Sequence, residues 1–359
     1  MTERIYVAAT SQHVGKTTST LGLVNALRKR SINVGYCKPV GQQALDLDNY
    51  KVDKDAFLFS GVMDFELVSE IHSPVILGKG ATADYLDDPT QQNYPEKILK
   101  AKDVLENNYE LVVYEGTGHP GVGSVCDLSN ADVAELINTK VILVVEGGIG
   151  NTIDKINLSL SLFCSKNIPI IGIIINKVRP EKLEKVRKYV KIYLDKQNLP
   201  LLGVIPYDKT MAYPLLHTVK SAVNGQIMAN EHNLNNQVAN TIDSSLMELE
   251  EFTNYDHLML IISSEKLSGA IKKIKEFESR NNFNKSTLSG IILTYHKFID
   301  AETQKYIDDN EIPVIHTQMD TYGAVVKISK IEVKINPRTP WKIHRAEELI
   351  SEHVNLDFL

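Results

Sequence analysis

The sequence is poor in cysteine and tryptophan, and it contains neither a block of basic residues nor an apolar run long enough to span a bilayer. Its cysteines, Cys37, Cys126 and Cys164, lack the spacing of a disulfide framework or of a zinc site. The net charge of −6 and the pI of about 6.0 argue against a primary role in binding nucleic acid. The first residues are polar and lead directly into an apolar strand, so no signal peptide is expected. These absences predict a soluble, cytoplasmic protein with reduced thiols and without nucleic-acid or membrane partners.

At 359 residues the chain is long for a single core, and two domains are expected. Short apolar strands alternate with helical segments, and several strands are apolar without a break. This pattern predicts the α/β class, with a parallel sheet that helices cover on both faces. The alternation weakens after residue 207, which predicts one domain at 1–209 and a smaller α/β domain at 210–359. The second domain is expected to end in an extended arm and a final helix over residues 341–354.

The most informative stretch is residues 5–18. A short apolar strand ends at Ala9, a polar loop follows, and Gly15-Lys16-Thr17 leads into helical spacing over residues 19–27. This order of strand, loop and helix is the context that a phosphate-binding loop requires. Backbone N–H groups would hold phosphate oxygens, Lys16 would reach the outer phosphates, and the Thr17 hydroxyl would bind Mg²⁺. Thr10 replaces the first glycine of the usual G-x-x-x-x-G-K-[ST] pattern, so the alternative is a surface turn that merely contains these residues.

Two charged residues stand at the ends of later predicted strands, where ligands collect in a parallel α/β sheet. Lys38 ends the second strand, although taken alone a solvated surface lysine is the simpler interpretation. Glu115 closes an apolar strand at the position where a phosphate-loop protein places its second Mg²⁺ contact. A strand-end acid that caps a turn is the alternative. His119, in the glycine-rich stretch that follows, would either contact substrate or be a solvated loop histidine.

Further motifs follow in the order found in one known group of proteins. They are Ala9-Thr10-Ser11-Gln12-His13-Val14-Gly15-Lys16-Thr17, Tyr36-Cys37-Lys38-Pro39-Val40, Asp55-Ala56, Glu115-Gly116, Asn176 and Gly203-Val204-Ile205-Pro206. Through them residues 1 to 207 resemble the dethiobiotin synthetase-like P-loop family, within the wider group that includes cobyrinic acid amidases and MinD-like ATPases. The loop of that family begins with a small residue and Thr, which explains the missing first glycine.

This resemblance implies ATP and Mg²⁺ as cofactors and suggests roles for individual residues. Lys16 and Lys38 would be catalytic, stabilising charge on a transferring phosphoryl group, with Lys38 beside the reacting carbamate. Mg²⁺ would be held by Thr17, Asp55 and Glu115. The nucleotide would be contacted by Thr10, Gln12, His13, Val14, Gly15, Lys16, Thr17, Thr18, Asn176 and Pro206. Proteins of this group often work as dimers, so a homodimer is expected, with the nucleotide and an unidentified small molecule as ligands.

A closer resemblance covers nearly the whole chain. Residues 123–130 and Gly147-Gly148-Ile149-Gly150 look like the N-terminal, synthetase-like region of long-form bacterial phosphotransacetylases, in which a so-called DRTGG domain follows. Residues 212–330 resemble that domain, in residues 288–294 and in Ile312-Pro313-Val314. The acetyltransferase domain that ends those proteins is absent from this sequence, so phosphotransacetylase activity is not expected from it.

The sequence departs from these families around the second substrate and in the second domain. Ser11 stands where synthetases have an Asp that helps to place substrate. Gly41-Gln42-Gln43 lacks the small hydroxyl residues expected around a diaminopelargonate carboxylate. In the second domain Ser264-Glu265-Lys266 replaces Gly-Asp-Arg, and Tyr295-His296 replaces Gly-Gly. Any ligand of the intact motif is therefore in doubt.

Three kinds of function remain open from the sequence. An ATP-dependent enzyme would act as an ATPase or as a ligase on a carboxylate or carbamate, with dethiobiotin synthesis proper as the narrower version. A regulatory module would bind nucleotide in the first domain and use the second for dimerisation or effector sensing, which the altered substrate residues favour. A scaffold with an inactive loop comes third, because retention of Lys16, Thr17, Asp55 and Glu115 together speaks against it. The prediction is an ATP-binding P-loop protein with ATPase or ligase-type activity and a regulatory second domain.

Lys16→Ala removes the point charge that the phosphate-loop interpretation places on the outer phosphates. We expect this variant to keep its fold and to lose nucleotide binding, as measured by calorimetric titration with ATP and Mg²⁺ and by circular dichroism. Unchanged affinity in the folded variant would refute the phosphate-loop assignment.

Overall fold

The computed structural model describes residues 2–47, 50–243, 257–331 and 333–357. The chain divides into two compact units, one formed by Met1–Asp208 with Ile335–Leu359 and the other by Lys209–Lys334. Both units contain a mostly parallel sheet flanked by helices, so the predicted α/β class with a smaller second α/β unit is confirmed. No helix in the described part of the chain is both long and apolar enough to cross a membrane.

The first unit contains the majority of the helices and strands. In chain order they are β1 (Glu3–Ala9), α1 (Lys16–Lys29), β2 (Val34–Cys37), β3 (Val40–Gly41), β4 (Ala44–Leu47), β5 (Tyr50–Asp53), α2 (Lys54–Met63), α3 (Ser69–His72), β6 (Val75–Ile76), α4 (Ala81–Asp87), α5 (Tyr94–Asn108), β7 (Leu111–Glu115), α6 (Asn130–Leu136), β8 (Lys140–Glu146), α7 (Gly150–Ser165), β9 (Ile170–Val178), α8 (Leu183–Lys196) and β10 (Leu201–Pro206).

Six of these strands form one parallel sheet in the order β10-β9-β8-β1-β7-β2. Its central strands are buried along nearly their whole length, because the helices that connect them cover both faces. The register places Val7 beside Glu115, and Cys37 beside Tyr114. The carboxyl ends of β1, β2 and β7 therefore meet at one edge of the sheet, which is where parallel α/β sheets bind ligands.

The second unit contains a separate five-stranded sheet. Its elements are α9 (Leu216–Ala222), β11 (Gln226–Ala229), β12 (Asn240–Asp243), β13 (Leu258–Ser263), α10 (Ser264–Arg280), β14 (Leu288–Thr294), α11 (Ala301–Asp309), β15 (Val314–Thr317) and α12 (Thr321–Ser329). The strand order is β11-β15-β14-β13-β12, and β11 alone is antiparallel to its neighbour. One apolar core lies on each face of this sheet.

The last helix, α13 (Pro340–His353), corrects the domain boundaries predicted from the sequence. We expected it in the domain at 210–359, but it belongs to the first unit and packs on α1. Its apolar face, with Ala346 and Ile350, lies against Gly22 of α1. Beyond the helix, the Asn355 N–H donates to the Leu202 carbonyl at 2.8 Å. The second unit is thus inserted between two segments of the first.

Gly22 allows α13 to approach α1 closely. A Cβ atom at this position would lie 2.4 Å from the Ala346 carbonyl oxygen and 2.5 Å from Ile350 Cγ1. We expect Gly22→Ala to lower the free energy of unfolding by about 1–3 kcal/mol through overpacking, although alanine is the better helix former by roughly 1 kcal/mol. Denaturant unfolding measures the change.

Gly61→Ala in α2 is the matched control, because a Cβ there meets nothing within 4 Å. It should raise the free energy of unfolding by about 0.5–1 kcal/mol. Stabilisation by both substitutions would contradict the close packing of α1 and α13.

Candidate functional site

The loop between β1 and α1 has the geometry of an anion site. Gly15 adopts the left-handed backbone region at φ 88° and precedes the 14-residue helix α1, whose first turn carries no acidic side chain. The Thr10 N–H donates to the Val144 carbonyl at 3.0 Å and fixes the start of the loop on β8. The partial positive charge of a helix N-terminus and its unpaired N–H groups attract anions. Lys16, at the first position of α1, adds a full positive charge.

A buried carboxylate, that of Glu115, lies at the centre of this edge of the sheet. Its side chain is fully buried at the end of β7. The Thr17 hydroxyl donates to Glu115 Oε1 at 2.7 Å, and the Tyr36 hydroxyl donates to Glu115 Oε2 at 3.1 Å. The ammonium groups of Lys38 and Lys16 lie 3.2 Å and 4.0 Å from Oε1. One carboxylate thus connects α1, β2 and the segment after β2.

Lys38 is buried and bonded on three sides. Its Nζ donates to Asp55 Oδ2 at 2.7 Å, to Glu115 Oε1 at 3.2 Å and to the Gly116 carbonyl at 2.9 Å. Asp55 reaches it from the first turn of α2, where the Asp53 carboxylate caps the helix by accepting from the Asp55 N–H at 2.9 Å. A buried lysine needs such partners, because an unpaired ammonium would be expelled from the interior or lose its proton.

The two lysines respond differently to burial. Burial lowers the pKa of Lys16 to about 8, and the positive charge of Lys38 adds to this effect. Burial also disfavours the charged form of Lys38, but the carboxylates of Asp55 and Glu115 outweigh it and raise the pKa of Lys38 above its ordinary value. Burial raises the pKa of Glu115 as well, although Lys38 opposes the shift. An anion bound against Lys16 would favour its charged form, as an opposite charge does.

The oxygen atoms at this edge fit a Mg²⁺ ion that also binds phosphates. Thr17 Oγ1 and Glu115 Oε1 are 2.7 Å apart, and both Asp55 and Glu115 contact the same ammonium group. All three are hard oxygen donors, the ligand type that Mg²⁺ prefers. Within the described residues no group of three or more His, Cys, Asp or Glu side chains is arranged to hold a metal. Such an ion would therefore complete its shell with phosphate oxygens and water, as Mg²⁺ usually does.

The loop that follows Glu115 is held by Asn130 at the start of α6. The Asn130 amide donates to the Thr117 carbonyl at 2.8 Å and to the His119 carbonyl at 2.6 Å. Its Oδ1 accepts from the Thr117 N–H at 2.8 Å and from the Tyr6 hydroxyl at 2.8 Å. Asn130 is buried, and its bonds to Thr117 and Tyr6 lie out of water, whereas the bond to the His119 carbonyl is partly buried. They fix the loop that presents the Gly116 carbonyl to Lys38.

The residues predicted from the sequence fall into two groups in the structure. Five of them meet around the Glu115 carboxylate: Lys16, Thr17, Lys38, Asp55 and Glu115. The predicted nucleotide contacts lie along the loop and α1, or at the ends of β9 and β10: Thr10, Gln12, His13, Val14, Gly15, Thr18, Asn176 and Pro206. Among them Asn176 touches the loop directly, since its amide donates to the Val14 carbonyl at 2.9 Å. His119 is exposed, and its predicted substrate contact stays a prediction.

Sequence reasoning missed three residues of this site. Tyr36 appeared only as part of a motif, Asn130 only as part of a resemblance, and Lys177 was given no role. Each bonds to a partner far away in the chain, which for Asn130 is Tyr6, so its local pattern carried little signal. The polar character of Tyr36 at the end of a buried strand was the available clue, because a buried hydroxyl requires a partner.

Comparison with known proteins assigns the first unit to a family. Residues 3–214 match the model of a family described as an AAA domain. The ATP-dependent dethiobiotin synthetase of Clostridium kluyveri is 31% identical over 186 residues, which cover 49% of this chain and 75% of the relative. Together with the loop and sheet described above, these matches show that the first unit has a P-loop fold of the ATP-binding kind.

A longer similarity extends over the second unit. The phosphate acetyltransferase of Synechocystis is 21% identical over 374 residues, covering 99% of this chain and 51% of the relative. This chain therefore spans about half the length of that protein. Among solved structures, the MinD cell division protein of Aquifex aeolicus is 15% identical with a TM-score of 0.38, over 58% of this chain and 84% of that one.

Asn130→Ala would remove the four hydrogen bonds that hold the loop after β7. We expect the free energy of unfolding to fall by about 2–4 kcal/mol, because the buried groups of Thr117, the Tyr6 hydroxyl and the partly buried His119 carbonyl lose their partners. Amide exchange in residues 117–124 should also become faster. Denaturant unfolding and hydrogen exchange measure the two effects.

Asn157→Ala is the control for this substitution, since Asn157 makes its side-chain bonds on the exposed surface of α7. Its effect on stability should stay within about 0.5 kcal/mol. Equal effects of the two substitutions would show that Asn130 does not hold the loop.

Proposed function

Since this chain belongs to the AAA-domain P-loop family and shares it with ATP-dependent dethiobiotin synthetases, we propose that it binds ATP with Mg²⁺ and transfers a phosphoryl group to a carboxylate or carbamate. The observation that carries this proposal is the convergence of two lysines and a threonine hydroxyl on the buried Glu115 carboxylate. These groups lie at the N-terminus of α1, where the helix dipole and the unpaired N–H groups attract anions.

Each side chain has a distinct task in the proposed reaction. Lys16, together with the backbone of the loop, holds the outer phosphates and stabilises negative charge there. Thr17, Asp55 and Glu115 would hold Mg²⁺, which would supply positive charge to offset that of the phosphates. Tyr36 donates to the second oxygen of Glu115 and so keeps the first oxygen turned towards Thr17.

Lys38 changes partner in this proposal. In the structure its ammonium bonds to Asp55 and Glu115, the two carboxylates assigned to the metal. The Asp55 and Glu115 carboxylates would hold a divalent cation in place of the ammonium, since like charges repel at such distances. Lys38 would then be available to the substrate carboxylate or carbamate, with its ammonium still donating to the Gly116 carbonyl.

A second candidate function is nucleotide-dependent regulation. The chain aligns over 99% of its length with a phosphate acetyltransferase. Both of its units are therefore similar to a region of a protein whose named activity is acetyl transfer. The departures from the synthetase pattern at Ser11 and at residues 41–43 also favour it. In this version ATP binding is retained, and the second unit serves dimerisation or effector sensing.

Calorimetric titration with ATP and Mg²⁺, followed by phosphate release in the same sample, tests the proposal. Release is measured with and without 7,8-diaminopelargonate and bicarbonate. Binding with release only in their presence means a true dethiobiotin synthetase, and release that ignores them means an ATPase or a ligase for another acid. Binding without release supports the regulatory candidate. Absence of binding refutes both.

Lys38→Ala separates binding from turnover. We expect ATP affinity to change little, because Lys16 and the loop remain, and turnover to fall by roughly 10²–10³-fold through loss of charge stabilisation. Calorimetry and phosphate release measure the two quantities, with thermal unfolding as the check on folding. Lys140→Ala, which removes an exposed lysine paired with Glu3, should leave both unchanged. Full turnover in folded Lys38→Ala would refute the role of Lys38.

A further inference from the structure

Two side chains from the end of β9 bond to backbone carbonyls of the phosphate loop. The Asn176 amide donates to the Val14 carbonyl at 2.9 Å, and the Lys177 ammonium donates to the His13 carbonyl. These are consecutive carbonyl groups just before Gly15. The loop is therefore tied to a strand that lies two positions from β1 in the sheet.

The Asn176 side chain is fixed at both ends. Its Oδ1 accepts from the Lys177 N–H at 2.8 Å, which directs the amide nitrogen towards the loop. Asn176 is 7% exposed, and its carbonyl accepts from the Gly147 N–H at 2.7 Å. The backbone of Lys177 is in the left-handed region at φ 58°, which is uncommon for a residue other than glycine. The Asn176 amide thus has one orientation, and the backbone of Lys177 is held in an uncommon conformation.

The absence of a side chain at Gly15 leaves room for the Asn176 amide. Besides its φ of +88°, a Cβ atom at Gly15 would lie 2.2 Å from Asn176 Nδ2. The amide thus packs directly on the glycine that precedes Lys16. A displacement of Asn176 would be transmitted to Gly15 through this contact as well as through the hydrogen bond to Val14.

We propose that Asn176 and Lys177 are positioning residues that hold the phosphate loop in its anion-binding conformation. A loop binds phosphate through its N–H groups, so its carbonyl groups must point away from the ligand. Bonds to the His13 and Val14 carbonyls keep them turned outward, and a preorganised site loses little energy on reorganising when the anion binds. This inference rests on the proposed nucleotide binding. It differs from the adenine contact that family resemblance suggests for Asn176, because it predicts an effect on the phosphates themselves.

The test compares ATP with inorganic tripolyphosphate, which has no base. Each is titrated calorimetrically, with Mg²⁺, into the full chain and into Asn176→Ala and Lys177→Met. We expect each substitution to weaken both ligands by a similar factor of about five- to tenfold, as the loss of one positioning hydrogen bond would. Lys177→Arg should restore affinity, because a guanidinium can also donate to the His13 carbonyl. Loss of affinity for ATP alone would mean a direct base contact and would overturn the proposal.

Controls separate this effect from general changes of charge or stability. Lys182→Met removes an exposed lysine just after β9, and Asn157→Ala removes an exposed amide on α7. Both should bind the two ligands like the unaltered chain. If Lys182→Met weakens binding as much as Lys177→Met, the effect is one of net charge and the proposal fails.

A measurement without ligand distinguishes failure of this proposal from failure of the proposed function. Amide hydrogen exchange of residues 11–16 should become several-fold faster in Asn176→Ala and Lys177→Met, with exchange in β8 unchanged. Unchanged exchange in the loop would overturn the positioning role whether or not the chain binds ATP. The unaltered chain could also fail to bind either ligand while loop exchange is faster in the variants. That result would refute the phosphate site, but the bonds between the loop and β9 would still be supported.

Discussion

The ionic contact between Lys38 and the Glu115 carboxylate is the constraint on which the rest of the site depends. Glu115 is fully buried, so its charge requires partners, and the Lys38 ammonium at 3.2 Å is the closest positive charge the structure gives it. The same carboxylate accepts from Thr17 and Tyr36. Moving Glu115 would therefore disturb the start of α1 and the end of β2 together. Removing either member of a buried pair costs about 3–5 kcal/mol, because the other is left uncompensated.

The sheet brings these groups together from distant parts of the chain. Neighbouring parallel strands place their carboxyl ends at one edge. β2 and β7 are neighbours, with Tyr36 beside Val113, and the Tyr36 hydroxyl reaches the Glu115 carboxylate from there. The loop from β1 and the end of β9 complete the edge, since Asn176 and Lys177 contact loop carbonyls. Positive and negative side chains nearly balance there, so each charge in the cluster has an opposite charge close to it. An anion or cation bound at this edge would shift the pKa values of these groups.

Much of this site could be predicted because it is encoded locally. The order of strand, loop, Gly15-Lys16-Thr17 and helix identifies a phosphate loop within a few residues, and Glu115 at a strand end follows from apolar periodicity. Asp55 came from resemblance alone, because an acid in the first turn of a helix has a sufficient electrostatic explanation. The contacts of Asn130 and Lys177 could not be predicted, because they depend on loop conformations that no periodicity describes. For the same reason α13 was assigned to the wrong unit, since its partner α1 lies at the other end of the chain.

The most direct test of the Glu115-centred site is an anomalous diffraction map of crystals of this chain grown with Mn²⁺ and a non-hydrolysable ATP analogue. We expect one metal peak among Thr17 Oγ1, Asp55 and Glu115, with the γ-phosphate against Lys16 and the Lys38 ammonium turned towards the substrate side. A nucleotide bound elsewhere, or a metal peak away from these three side chains with Lys38 still between its carboxylates, would contradict the assignment.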